Sequence, residues 1–128
     1  MTGRKILIVD DEEDLLKLIR ARLIANNYDV IVAQDGSECL IKVEECSPDL
    51  IVMDIMMPNM DGVEAARRLK ENPSTENIPV LFLTSAITRE DQASDCPINV
   101  HDVYYPAIAK PFSPEELLKK IRELLNED

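Results

Sequence analysis

Glycine is scarce in this chain. Gly3, Gly36 and Gly62 are its full complement in 128 residues, too few and too scattered for a loop that cradles phosphate on backbone amides. Basic residues are also outnumbered: 14 Lys and Arg face 25 Asp and Glu, giving a net charge of -11. Nucleic-acid affinity comes largely from Lys and Arg neutralising phosphates, so no direct nucleic-acid partner is expected. Cys39, Cys46 and Cys96 form neither an even disulfide framework nor a C-x-x-C metal pair, and read as packing or surface thiols in a reducing compartment. No apolar run approaches the roughly 20 residues of a membrane span. The first five residues lead into a strand-like segment without a signal peptide's apolar region and cleavage site. These absences predict a cytoplasmic protein with no membrane partner.

What the chain does have is 45% hydrophobic residues, enough to fill the core of one domain spanning residues 1–128. Apolar runs alternate with helical patterns. Strands are expected at Lys5–Val9, Asp29–Ala33, Leu50–Met53 and Pro79–Leu83, with a fifth just before Lys110. Leu15, Leu16, Leu18, Ile19, Leu23 and Ile24 recur at helical spacing, as do Cys39, Leu40 and Val43 after a turn at Asp35-Gly36. Val63 to Glu71 reads as a third helix, stopped by Asn72-Pro73-Ser74, and Ser113-Pro114 opens a last amphipathic helix. A fourth helix belongs between Ile87 and Pro106; Arg89 to Asp95 suits about two turns before Pro97, with loop through Asn99, Val100 and His101. The alternation implies a doubly wound parallel sheet in flavodoxin-like order 2-1-3-4-5 with five helices, the fourth short or irregular.

Open sheets of this kind bind ligands outside the carboxyl ends of their strands. Asp10, Asp11, Asp54, Thr84 and Lys110 all fall at strand ends. Three carboxylates crowded at neighbouring tips repel one another and raise one another's pKa, an arrangement that suits a hard divalent cation such as Mg²⁺. Asp10 and Asp11 would also suit the start of a helix, where acids favour the macrodipole, but that leaves Thr84 and Lys110 unexplained. A carboxylate nucleophile, a metal, a hydroxyl and an ammonium together form a set that stabilises a phosphoryl group.

The blocks Ile8-Val9-Asp10-Asp11, Met53-Asp54-Ile55-Met56-Met57-Pro58-Asn59-Met60-Asp61-Gly62, Leu83-Thr84-Ser85-Ala86 and Ala109-Lys110-Pro111-Phe112 resemble the signature blocks of response regulator receiver domains of bacterial two-component systems. They cover essentially the whole chain in order. The resemblance implies a phosphoacceptor signalling domain rather than an enzyme. Asp54 would accept a phosphoryl group from a sensor histidine kinase or phosphotransfer protein. Mg²⁺ would be held by Asp10, Asp11, Asp54 and the backbone carbonyl of Met56, while Thr84 and Lys110 would bind the phosphoryl oxygens. It also implies a cis peptide between Lys110 and Pro111, and an interaction face on the fourth helix, fifth strand and fifth helix that serves an output protein or domain and could support a homodimer.

Two departures bear on that face. The strand position where the family carries a switch aromatic, three residues before the lysine, is Ala107, and Tyr105 shares its parity. The segment from Thr84 to Lys110 is also longer than usual and contains Pro97 and Pro106. Beside the acceptor, Met56 and Ala86 offer no polar group to orient an attacking water, which predicts slow self-dephosphorylation. Two rival readings are a metal-dependent phosphatase, which would want a second acid where Met56 stands, and a flavin binder of the same fold, which would want a phosphate-cradling loop. Residues 111–128 after Lys110 suffice for one helix, so no output domain is expected within this sequence.

Overall fold

A computed structural model describes residues 3–57, 59–84, 98–100 and 103–126. Its elements in chain order are β1 (Lys5–Val9), α1 (Glu13–Ala25), β2 (Asp29–Ala33), α2 (Gly36–Cys46), β3 (Leu50–Asp54), α3 (Gly62–Glu71), β4 (Val80–Thr84), β5 (Ile98–Val100), β6 (Val103–Tyr105), β7 (Ala107–Ala109) and α4 (Pro114–Leu124). Five strands make one parallel sheet in the order β2-β1-β3-β4-β7, the flavodoxin-like arrangement that the alternation implied.

The central strands are apolar along their whole length because both faces of the sheet are covered. Ile6, Ile8, Leu50, Val52, Leu81, Leu83 and Ile108 point to one side, against Leu16, Ile19 and Leu23 of α1 and Leu117, Leu118 and Ile121 of α4. Their neighbours Leu7, Val9, Ile51, Met53, Val80, Phe82 and Ala107 point to the other, against Cys39 and Val43 of α2 and Ala65, Ala66 and Leu69 of α3. The strands therefore run through the centre of the core, and the side chains at their carboxyl ends emerge together at one edge.

Two expectations are corrected. Gly36 is not part of a turn: Asp35 caps α2, its side chain accepting from the Glu38 N–H, and Gly36 is the first helical residue. A Cβ there would lie 2.6 Å from the Met60 carbonyl oxygen, so glycine serves close packing. Asn99 and Val100 are not loop. β5 pairs antiparallel with β6, Val100 opposite Val103 and Asn99 opposite Tyr104, because the β-branched and aromatic residues alternate: Val100 and Tyr105 are buried with α3 while Asn99 and Tyr104 face outward. Four helices lie among the described residues; the fourth expected helix, at 89–95, lies outside them.

Candidate functional site at the sheet edge

β1 delivers Asp10 and Asp11 to the edge, β3 ends on Asp54, β4 ends on Thr84, and Lys110 follows β7. Asp10, Asp54 and Thr84 are buried, whereas Asp11 is exposed. Register fixes their proximity: Val9 lies between Ala33 and Met53, and Asp54 is opposite Leu83. One carboxylate oxygen from each of Asp10, Asp11 and Asp54 falls within 4.8 Å of the others. Across the edge, Lys110 Nζ donates to Asp10 Oδ2 at 3.0 Å and lies 3.5 Å from Asp54 Oδ2. The Lys110 N–H donates to the Thr84 carbonyl at 2.8 Å, anchoring the end of β7 to the end of β4. The Lys110–Pro111 peptide is cis, as the resemblance implies.

Each group is held by its surroundings. The Asp10 N–H donates to the Ala33 carbonyl, and its Oδ1 accepts from the Glu12 N–H at 2.9 Å. Asp54 Oδ1 accepts a long bond, 3.4 Å, from the Met56 N–H. Burial first, and then the facing Asp10 carboxylate, push the Asp54 carboxyl above its usual range, with Lys110 opposing them. For Lys110 burial pulls the other way, but the hydrogen bond and charge of Asp10, followed by the charge of Asp54, outweigh it and hold the amine above its ordinary value. A proton is thus costly to remove from the lysine and comparatively easy to add to Asp54, the state of a site short of positive charge. A divalent cation would supply that charge among the same oxygens.

The loop after β3 is fastened at both ends. The Gly62 N–H donates to the Ile55 carbonyl at 2.8 Å, and a Cβ on Gly62 would overlap the backbone oxygen of Asp54. Farther along, the Gly36 N–H donates to the Met60 carbonyl at 3.1 Å and Asn59 Nδ2 to Asp35 Oδ2, also at 3.1 Å. Asn59 itself has φ +68°, a left-handed conformation that asparagine tolerates. Met56 sits in this loop and is 67% exposed.

A model of the response regulator receiver domain matches residues 6–122. The chain belongs to that family. It is 38% identical over 96% of its length to the alkaline phosphatase synthesis transcriptional regulatory protein PhoP of Bacillus subtilis, of which it covers 49%. It spans about half the length of the first curated relatives it matches. Among solved structures, the chemotaxis response regulator CheY4 of Vibrio cholerae superposes with a TM-score of 0.82 at 29% identity, covering 96% of this chain and 99% of that one. The receiver domain of sensor histidine kinase PA1611 from Pseudomonas aeruginosa, solved with magnesium coordinated in its active-site cleft, gives 0.83 at 25% identity, covering 98% and 100%. This receiver domain is therefore a two-component signalling module.

Of the residues singled out from sequence, Asp10, Asp11, Asp54 and Lys110 meet at the edge, and Thr84 is buried beside them. Tyr105 and Ala107 turn to the same side of the core, as their parity requires, but stand on separate strands divided by Pro106. The Tyr105 ring meets Phe82 edge-on, centroids 5.4 Å apart. Ser85, Ala86 and Cys96 lie outside the described residues. Sequence reasoning missed two participants. Gly62 had a signal in Asp-Gly opening a helix soon after a strand. Glu12, whose carboxylate reaches Lys110 Nζ at 3.3 Å, had none beyond its place in an acidic run.

Proposed function

We propose that Asp54 is the phosphoacceptor of this receiver domain, taking a phosphoryl group from a phosphohistidine on a sensor histidine kinase or phosphotransfer protein. An Asp54 carboxylate oxygen forms the new bond to phosphorus while the P–N bond breaks, its electron pair returning to the imidazole. The observation that carries this reading is the convergence of Lys110 Nζ and three carboxylates on one strand-end edge, with Asp54 buried between them. Asp10, Asp11, Asp54 and the Met56 carbonyl would hold Mg²⁺, which when bound neutralises the acidic cluster and the incoming phosphoryl oxygens. Lys110 supplies charge-assisted hydrogen bonds to those oxygens, and Thr84 a hydroxyl donor.

The new group draws Thr84 and Lys110 toward Asp54. Thr84 and Phe82 share a face of β4, and Phe82 contacts Tyr105. We assign Tyr105 the relay that the small side chain of Ala107 cannot perform. The module works in the cytoplasm and passes its state to an output protein or domain, without binding nucleic acid through its own acidic surface.

Incubation with a small acyl phosphate and Mg²⁺, followed by intact-mass measurement, tests the assignment. One phosphoryl group should be added, removed by mild base, and absent from Asp54→Asn or when metal is chelated. Persistent label on Asp54→Asn would overturn it. Rapid turnover of a phosphate ester dependent on Asp54 would favour a phosphatase instead.

A further inference from the structure

Glu12 stands at the N-cap of α1, and the other three described helices show what that position ordinarily does. Asp35, Asp61 and Ser113 each turn a side-chain oxygen back to accept an N–H of their own first turn. Glu12 makes no such bond. Its side chain instead extends across the edge to Lys110 Nζ at 3.3 Å, a shorter approach than the 3.5 Å between that amine and Asp54. Its backbone N–H meanwhile fixes Asp10 Oδ1, while Asp10 Oδ2 takes the same amine. Glu12 thus holds Lys110 directly and also positions the buried acid that holds it. A good helix cap is forgone for that contact.

We propose that Glu12 is a positioning residue, a latch that retains Lys110 in the unphosphorylated arrangement and competes with the phosphoryl oxygens for its amine. This rests on Asp54 being the acceptor. Lys110 is 17% exposed and mostly enclosed, but Glu12 is 64% exposed, so the contact is weak enough to release when a phosphoryl group forms beside it. Releasing it in advance removes one of the amine's three carboxylate partners and leaves it to Asp10 and Asp54, so less has to be broken when the incoming group arrives. An exposed ion pair of this kind sets an effect of about two- to fivefold.

Three variants separate contact from charge. Glu12→Gln removes the charge and keeps the length; Glu12→Asp keeps the charge but falls short of Lys110; Glu13→Gln removes a charge from the same acidic run without touching the lysine. Phosphoryl uptake from a small acyl phosphate with Mg²⁺ is measured alongside the ¹⁵Nζ resonance of Lys110 in metal-free protein. In uptake the acyl carboxylate leaves with the electron pair of the broken P–O bond. Glu12→Gln and Glu12→Asp should both accelerate uptake about two- to fivefold and shift the Lys110 resonance, while Glu13→Gln does neither. Glu12→Asp should also raise the melting temperature by supplying the missing cap. If Glu12→Asp takes up label at the wild-type rate, or Glu13→Gln matches Glu12→Gln, the effect is general charge and the latch is wrong. Unchanged rates in both Glu12 variants likewise overturn it, whereas a wild-type protein that takes no label on Asp54 overturns the acceptor assignment instead.

Discussion

Replacing Lys110 by methionine keeps an unbranched stem while deleting the charge that Asp10 and Asp54 share at 3.0 and 3.5 Å. Both acids are buried, and removing one partner of a buried ion pair costs about 3–5 kcal/mol. Lys110 keeps 17% of its side-chain surface in solvent, so the lower end, about 3 kcal/mol, is the expected loss near neutral pH without metal. In a domain of this size that is roughly 10 °C of melting temperature. The pH dependence has a definite sign. Burial and Asp10 raise the Asp54 pKa in the folded protein, so the folded state binds that proton more tightly and gains from this group as pH falls. Losing Lys110 strengthens the trend, so the deficit of Lys110→Met should narrow between neutral pH and a mildly acidic pH. Mg²⁺ should narrow it too, since a ligand at 100 times its Kd adds about 2.7 kcal/mol and the variant has the larger unmet negative charge. Urea unfolding at the two pH values, with chelator and with Mg²⁺, measures all three effects. A loss below about 1 kcal/mol near neutral pH, or one that does not change with pH, would refute this electrostatic account.

Met56→Asn places a polar side chain beside the acceptor, where the native side chain is open to solvent. Loss of the phosphoryl group from Asp54 should accelerate about tenfold as water is oriented for attack, read by following the phosphorylated mass over time. On α3, hydrogen bonds from Arg67 and then Arg68 hold the Glu64 carboxyl at about 2. Its stabilising contribution is therefore present above the ordinary value of 4.5 and lost as pH falls toward 2. An NMR titration should find that midpoint, and Arg67→Ala should move it upward. Gly62→Ala forces a methyl group against the Asp54 carbonyl and should cost about 1–3 kcal/mol in denaturant unfolding.

The strands were legible because a sheet covered on both faces needs unbroken apolar runs, and Ile6 to Val9 or Leu50 to Met53 offers no competing helical period. The acidic edge was legible for a related reason: a chemically distinct residue at the end of such a run has only one place to go. β5 and β6 carried too little pattern, three residues each, and a short apolar alternation beside prolines reads as readily as loop. Pro106, which has no N–H to give, separates Tyr105 from the strand that its parity suggested it shared. Glu12 was hidden differently. Five consecutive acids, Asp10 to Asp14, look alike until the turn into α1 decides which of them faces a lysine 98 residues away.

The two sides of the acidic edge are built to unequal stiffness. The β3 loop is pinned by Gly62 to Ile55 and by Gly36 to Met60, with close backbone packing where either glycine would carry a side chain. That wall behaves as an anvil: it cannot yield to a new group on Asp54 without breaking bonds that also start two helices. On the lysine side β7 is tied to β4 by their ladder and by the Lys110 N–H, but the amine itself rests on carboxylates that can exchange partners. Under the proposed function, rearrangement is therefore expected at the amine, toward β4 and β7, which would give the signal a direction before any partner is engaged.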